Sequence, residues 1–183
     1  MMNEEMKKNG GRRVAMFPGS FDPFTIGHES IVERALPLFD EIVIAIGVNY
    51  NKQTLTTAEE RLAWIRGIFR DEPRVRVIHY TGLTVDAARE CGATYILRGV
   101  RMVQDFEYEK NIAETNRALS GIETVLLYTL PEYGHISSTI VRELVKWGHD
   151  VSAFLPRNCD PRLIPSTWKM NSNNTHTDYE KKI

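Results

Sequence analysis

Apolar residues fall along this chain in two alternating rhythms. Short continuous runs occur at Val14-Ala15-Met16-Phe17, Glu41 to Val48 (EIVIAIGV), Val75 to Tyr80, Tyr95 to Leu97 and Thr124 to Tyr128. Runs of this length, rich in β-branched residues and bounded by Gly, Pro or polar clusters, predict strands. The second is the most continuous, as befits a central strand buried on both faces of a parallel sheet. Between the runs, apolar residues recur every three or four positions, the rhythm of a helix with one buried face. Helices are predicted over Gly27 to Phe39, from Thr57 to about Phe69, Val85 to Cys91, about Asp105 to Leu119 and about Ile140 to Trp147. A short segment, Val151 to Leu155, follows the last of them.

Boundary residues agree with this division. Thr57-Ala58-Glu59-Glu60 has the spacing of a capping box, with Thr at the N-cap and Glu three residues on. Gly92 and Gly121 stand where helices end on a residue free to turn left-handed. Pro37 falls near the end of the first helix, and Ser137-Ser138-Thr139 caps the last. In the second helix Leu62, Ile65 and Phe69 make the apolar stripe, with Arg61, Arg66 and Arg70 expected on the polar side.

Five strands alternating with helices imply parallel pairing through right-handed crossovers. The expected fold is a single Rossmann-like, doubly wound α/β domain on a five-stranded parallel sheet. It is expected to span residues 13–168, after a flexible N-terminal segment of residues 1–12 and before a polar, aperiodic, disordered tail at 169–183. Ligands of such sheets sit beyond the carboxyl ends of the strands. Gly19 to His28 follows the first strand, Lys52 the second and Thr84 the third. Arg98 and Arg101 follow the fourth, and Tyr133 to Thr139 the fifth. The unusual polar residues therefore gather on one edge of one sheet.

Charge narrows the partners. The 183 residues carry 23 Lys and Arg against 24 Asp and Glu, a net charge of −1. No global field draws the chain to nucleic acid or a membrane surface, and neither is expected as a partner. Met1 to Arg13 is charged and lacks the apolar centre of a secretory signal, so a cytoplasmic location is expected. Cys91 and Cys159, without a CxxC spacing, suggest neither a disulfide framework nor a zinc site. His176 in the tail has no companion ligands, and no protein-held metal is expected.

The chemistry lies in the turn from Phe17 to His28, which passes from a buried strand to the mouth of a helix. Gly lets backbone approach an anion, and a helix N-terminus presents free N–H groups and a positive dipole end. His28 is placed to meet charge developing on a phosphate. Ser20 offers a hydroxyl and, with Phe21, backbone N–H groups. Asp22-Pro23 reads as structural, Pro23 setting the turn and Asp22 capping backbone N–H groups. Lys52, in a polar loop, is either solvated or a clamp on an acceptor phosphate. Arg98 and Arg101 flank Gly99 and Val100, and Arg binds phosphate bidentately. Asp105 and Glu107 suit a helix N-terminus, whereas Glu109 is expected to touch a nucleotide through its ribose or an ordered water. Ile136-Ser137-Ser138-Thr139 can cap a helix and cradle an anion, with Arg142 adding charge one turn on.

Taken in order, PGSFDP-x-T-x-GH (Pro18 to His28), Lys52, LRG-x-R-x-x-x-DFEYE (Leu97 to Glu109) and ISST (Ile136 to Thr139) resemble the phosphopantetheine adenylyltransferases. These belong to the TxGH/HxGH nucleotidyltransferases, and the resemblance covers about Arg13 to Leu163. It implies transfer of the adenylyl group of ATP to 4′-phosphopantetheine, giving dephospho-coenzyme A and pyrophosphate in coenzyme A biosynthesis. It implies that Ser20, Lys52 and Arg98 bind the acceptor phosphate while Thr84 lines the pantetheine arm. ATP would be bound by Ser20, Phe21, His28, Gly99, Val100, Arg101, Glu109 and the run Tyr133, Gly134, His135, Ile136, Ser137, Ser138 and Thr139. His28 would stabilise the transition state, with Lys52 and Arg98 as further catalytic charges. Magnesium would accompany ATP, coenzyme A would inhibit by feedback, and the assembly would be a homohexamer. Ser20 stands where Thr is common in the family, and the hydroxyl survives. A nicotinamide mononucleotide adenylyltransferase would share the GSFDP-to-GH stretch but leave RGxRxxxDFEYE unexplained. A non-catalytic nucleotide or coenzyme A sensor would not need the charges His28, Lys52, Arg98 and Arg101 together.

Overall fold

The computed structural model describes residues 11–49 and 54–157. Lys52, Cys159, His176 and the expected tail at 169–183 lie outside the described residues. Five strands alternate with five helices. They are β1 (Val14–Gly19), α1 (Ile26–Ala35), β2 (Glu41–Gly47), α2 (Ala58–Ile68), β3 (Val75–Tyr80) and α3 (Thr84–Glu90), then β4 (Tyr95–Val100), α4 (Val103–Ser120), β5 (Glu123–Tyr128) and α5 (Ser138–Lys146). Single 3-10 turns at Pro131–Tyr133 and Ser152–Phe154 flank α5.

All strands run parallel in the order β3-β2-β1-β4-β5. This is the doubly wound α/β architecture read from the alternation. The order reverses between β1 and β4, which makes the ligand crevice of such sheets. The two strands also part early. β1 pairs with β2 through six positions, from Val14↔Glu41 to Gly19↔Ile46, but with β4 only at Ala15↔Tyr95 and Met16↔Ile96. The carboxyl ends of β1 and β4 are therefore free to diverge around a ligand.

Side chains alternate across each strand and fill two cores. Ala15, Phe17, Ile42, Ile44, Ile46 and Leu97 pack against Ile31 and Val32 of α1, Trp64 and Ile65 of α2, and Val141 of α5. Val14, Met16, Val43, Ala45 and Ile96 pack against Val85, Ala87 and Ala88 of α3. The cover on this second face is thin under α4, where only Glu109 of eighteen residues is buried.

Several boundaries differ from expectation. α1 ends at Ala35 rather than Phe39, because Pro37 lacks the N–H to continue the ladder, although Leu36 itself keeps helical angles. β4 runs through Val100 instead of stopping at Leu97, since its ladder with β5 continues through Arg98↔Leu126 and Gly99↔Leu127. Arg98 and Gly99 are thus strand residues on opposite faces. α4 starts two residues before Asp105, at Val103. Thr57 does cap α2 reciprocally with Glu60, and Gly121 adopts φ 73° at the end of α4. Gly92 likewise takes φ 77° after α3.

Candidate active site

Thr25 is the N-cap of α1, and the third residue of the helix is His28. The Thr25 backbone N–H donates to His28 Nδ1 at 2.9 Å, and the His28 N–H donates to Thr25 Oγ1 at 3.4 Å. A backbone N–H can only donate, so Nδ1 must be an acceptor and the ring proton sits on Nε2. The ring lies edge-on to Phe21 at 5.2 Å and is flanked by Phe24 at 5.3 Å. Burial foremost, then the positive charges of Arg101 and Arg98, lower its pKa from 6.5 to about 3. His28 is thus a neutral N–H donor at the mouth of a helix.

The loop before it is shaped by one strained residue. Phe21 takes φ 47°, a region few side chains adopt. Its ring covers Gly19, where a Cβ would lie 2.7 Å from Phe21 Cζ. Asp22 is buried and turned away from the crevice. It accepts from the Leu55 N–H (2.8 Å), the Thr56 N–H (3.2 Å) and the Thr56 hydroxyl (2.8 Å). The structural role read for Asp22 holds, with its partners 33 and 34 residues away.

Three arginines from three elements hold alternate carbonyls of this loop. Arg98 Nη1 of β4 donates to Pro18 O at 2.5 Å, across the gap where the β1–β4 ladder has stopped. Arg61 Nη1 of α2 donates to Ser20 O. Arg142 Nη1 of α5 donates to Asp22 O at 2.8 Å. Ser138 Oγ adds a bond to Pro23 O at 2.8 Å. Loop carbonyls are thereby satisfied from outside, and positive charge collects beside the crevice.

Two clefts meet along this loop. The smaller, about 310 Å³, is lined by Phe21, Gly27, His28, Gly99, Arg101, Tyr133 and Ile136 to Thr139. The larger, about 1140 Å³, reaches Thr84 and Tyr80, then runs beneath α4 past Ile96, Ile112, Asn116 and Thr124. Pro18, Gly19, Ser20, Arg98 and Glu109 line both. The thin core under α4 is therefore the wall of a groove. The Thr124 hydroxyl on its floor is buried with no hydrogen-bond partner among the described residues.

Arg98 and Glu109 form the ridge between the clefts. Arg98 Nε donates to Glu109 Oε2 at 2.7 Å and Nη2 to Oε1 at 2.5 Å. With Pro18 O, these bonds use three of the five guanidinium N–H groups and leave two for a ligand. Arg101 is held in the same manner by Asp105, through Nε at 3.0 Å. Asp105, read as a helix-dipole residue, thus also orients an arginine.

The remaining predicted residues divide. Thr84 lies in the larger cleft, its hydroxyl 3.1 Å from Tyr80 Oη. Ser137 caps α5 through the Ile140 N–H, and Thr139 Oγ1 accepts from Arg142. With Ser138 tied to Pro23, all three hydroxyls have protein partners. Gly99 faces Ile31, where a Cβ would come within 3.2 Å, so its small size serves packing on α1. Val100 is buried, and neither it nor Gly134 lines a cleft; His135 is exposed beside Phe154. Arg61 corrects the expected polar face of α2. It is 3 % exposed, because Ala58, Arg61, Trp64 and Ile65 form the buried stripe. An arginine inside that helical period was the available signal.

The strand order, the crevice at its reversal and the helix-mouth histidine define an α/β nucleotidyltransferase, and residues 16–144 match the cytidylyltransferase-like family. Within that class, the chain belongs to the phosphopantetheine adenylyltransferase family. It is 58 % identical over 144 residues to the phosphopantetheine adenylyltransferase of Phocaeicola vulgatus, covering 79 % of this chain and 95 % of that one. It is 53 % identical over 148 residues to that of Bacteroides thetaiotaomicron, covering 81 % and 98 %. The fold is shared with a bifunctional NMN adenylyltransferase/ADP ribose pyrophosphatase from Francisella tularensis, at TM-score 0.63 and 16 % identity. That match covers 82 % of this chain and 46 % of the bifunctional one.

Proposed function

We propose that the chain transfers the adenylyl group of ATP to 4′-phosphopantetheine, releasing pyrophosphate and forming dephospho-coenzyme A. The observation that carries the reading is the pair of clefts joined at Ser20 and Arg98, with His28 and Arg101 in one and Thr84 in the other. One cleft suits a nucleotide triphosphate. The long groove beneath α4 suits an extended arm whose phosphate lies at the shared ridge. In-line attack then needs two anions brought together, so positioning and charge neutralisation dominate. The acceptor phosphate is already nucleophilic near neutral pH and needs no strong base.

In this mechanism Ser20, Arg98 and Lys52 hold the acceptor phosphate, Lys52 on the family resemblance alone. The two N–H groups that Arg98 keeps free point the assignment there. Arg101, the α5 N-terminus and the Phe21 backbone take the triphosphate, and His28 Nε2–H donates to the α-phosphate as its charge rises. Among the described residues no group of three His, Cys, Asp or Glu could hold a metal. Magnesium would accompany the triphosphate when ATP is bound and would supply positive charge against the pyrophosphate leaving group.

Homohexameric assembly and feedback inhibition by coenzyme A belong to the same reading. Val103, Leu119 and Tyr128 are exposed by 60–71 % along α4 and the β5 edge, the apolar surface a self-association would cover. No helix among the described residues is long and apolar enough to cross a membrane, and the proposed setting is the cytoplasm. The test is pyrophosphate release from Mg·ATP with 4′-phosphopantetheine or nicotinamide mononucleotide as acceptor. Turnover with phosphopantetheine alone supports the reading. Turnover with the mononucleotide alone replaces the acceptor, and ATP binding without turnover on either favours a sensor.

A further inference from the structure

Arg61 is a buried cation with no carboxylate in direct contact among the described residues, and Asp22, Glu59 and Glu60 favour its charge only from a distance. It is 3 % exposed, its Nε donates to Thr57 O at 3.1 Å, and its Nη1 donates to Ser20 O. Both partners are neutral carbonyls. Asp22, the carboxylate that most favours its charge, spends both oxygens on Leu55 and Thr56. Arg98, which holds the neighbouring carbonyl of the same loop, is by contrast neutralised by Glu109. Burying an ionised group without a paired charge is costly, and burial is the leading cause lowering the Arg61 pKa. A fold that accepts such a cost at the wall of a cleft has a place for an anion.

We propose that Arg61 is a positioning residue of the acceptor site, holding Ser20 in place and supplying the buried positive charge that selects a phosphorylated acceptor. The proposal rests on the adenylyl-transfer reading above. Location favours the acceptor over the nucleotide. Arg61 lines the larger cleft beside Ser20 and does not line the His28 cleft. Its Nη2 has no hydrogen-bond partner among the described residues, so with the second Nη1 hydrogen three N–H donors remain. The Ser20 bond has a second effect. In a trans peptide the C=O and N–H point in opposite directions. Holding Ser20 O toward α2 therefore turns the Phe21 N–H away from α2. One guanidinium thus sets both faces of the Ser20–Phe21 peptide.

The test compares 4′-phosphopantetheine with pantetheine, which lacks the phosphate, by calorimetric binding without ATP to wild type, Arg61→Gln and Arg61→Lys. Arg61→Gln is expected to weaken phosphopantetheine roughly tenfold or more while pantetheine changes by less than about twofold. Arg61→Lys should recover part of the loss, and any rise in the KM for ATP, through the Phe21 N–H, should be smaller in both variants than the loss of phosphopantetheine affinity. Equal weakening of both ligands, or of neither, overturns the proposal. Circular dichroism screens for folding, and Arg61→Lys carries the comparison if Arg61→Gln does not fold. Wild-type turnover separates the two readings. If wild type adenylylates only nicotinamide mononucleotide, the acceptor assignment fails, and Arg61 is judged by the same criteria on that nucleotide against its riboside.

Discussion

Thr25 and His28 form a reciprocal capping box, with the Thr25 N–H on His28 Nδ1 at 2.9 Å and the two side chains 3.0 Å apart. The spacing of the TxGH motif is thus first the spacing of a helix cap. The cap that starts α1 also fixes the histidine tautomer, leaving Nε2–H as the group offered to the cleft. Chemistry and folding are served by the same two residues.

His28 is therefore expected to remain neutral and Nε2-protonated from pH 5 to 8 in the ligand-free protein. Nitrogen NMR of the imidazole checks this, and an imidazolium forming near pH 6.5 would overturn it. Stability should fall as pH drops from 6.5 toward 3, because the unfolded chain takes up a proton there that the native ring refuses. His28→Ala should cut kcat about a hundredfold or more while ATP affinity stays within about threefold. Equal losses in both would argue against a role in the transition state. Thr25→Ala keeps the backbone donor and should cost about 1 kcal/mol of stability with a smaller loss of kcat.

The Arg98–Glu109 pair makes a separate prediction. Glu109 is 6 % exposed and holds two guanidinium nitrogens. Glu109→Gln leaves a partly buried arginine without its counter-charge, at an expected cost of about 2 kcal/mol or more. The loss should appear in denaturant unfolding, and the KM of the acceptor should rise because Arg98 no longer has a fixed direction. The double change Arg98→Met with Glu109→Leu should recover most of the stability and none of the activity. Recovery of activity would remove Arg98 from the site.

Sheet, crossovers and the edge carrying the site were all legible, because parallel strands buried on both faces and capped helices leave strong periodic marks. So was the gathering of Ser20, His28, Arg98 and Arg101, since each follows or ends a strand. The bonds that shape the site were not. Pro18 O, Ser20 O and Asp22 O are backbone atoms, and nothing in a one-dimensional string says which arginine reaches which carbonyl. Arg61 was misread because an arginine in a helix is usually solvated. Glu109 reads as a ligand contact, and the structure adds that each of its oxygens accepts a bond from Arg98. Gly99 suggested close approach of a ligand, but only the structure reveals Ile31 behind it.

Gly19 tests the strained turn. An added Cβ would lie 2.7 Å from Phe21 Cζ and 2.8 Å from Cε1, closer than packed carbons approach. The Phe21 ring packs on Phe17, Phe24 and His28, which leaves it little room to retreat. Gly19→Ala should cost about 2 kcal/mol and raise the KM of both substrates, since Gly19 lines both clefts. Adding Phe21→Leu should recover part of the stability, giving a non-additive double-mutant cycle. Additive effects would mean the two residues do not meet.

Glu29 gives the pH dependence its second arm. It follows His28 in α1, is 8 % exposed, and its carboxyl has no hydrogen-bond partner among the described residues. It lines a cavity of about 500 Å³ with Glu33 of the same helix and with Arg70, Asp71 and Glu72 from the α2–β3 connection. Burial, then the like charge of Glu33, raises its pKa from 4.5 to about 7, and Arg157 acts in the opposite direction. Between those values the native state keeps a proton that the unfolded chain has released, so this group costs stability as pH rises toward 7. Above pH 7 the full cost applies, because the buried carboxylate must be ionised. Glu29→Gln removes the ionisation and keeps the shape. Its Tm should exceed that of wild type by roughly 3 °C or more at pH 8 and by clearly less at pH 5. A difference that is the same at both pH values would mean that Glu29 is solvated and titrates like a surface carboxylate.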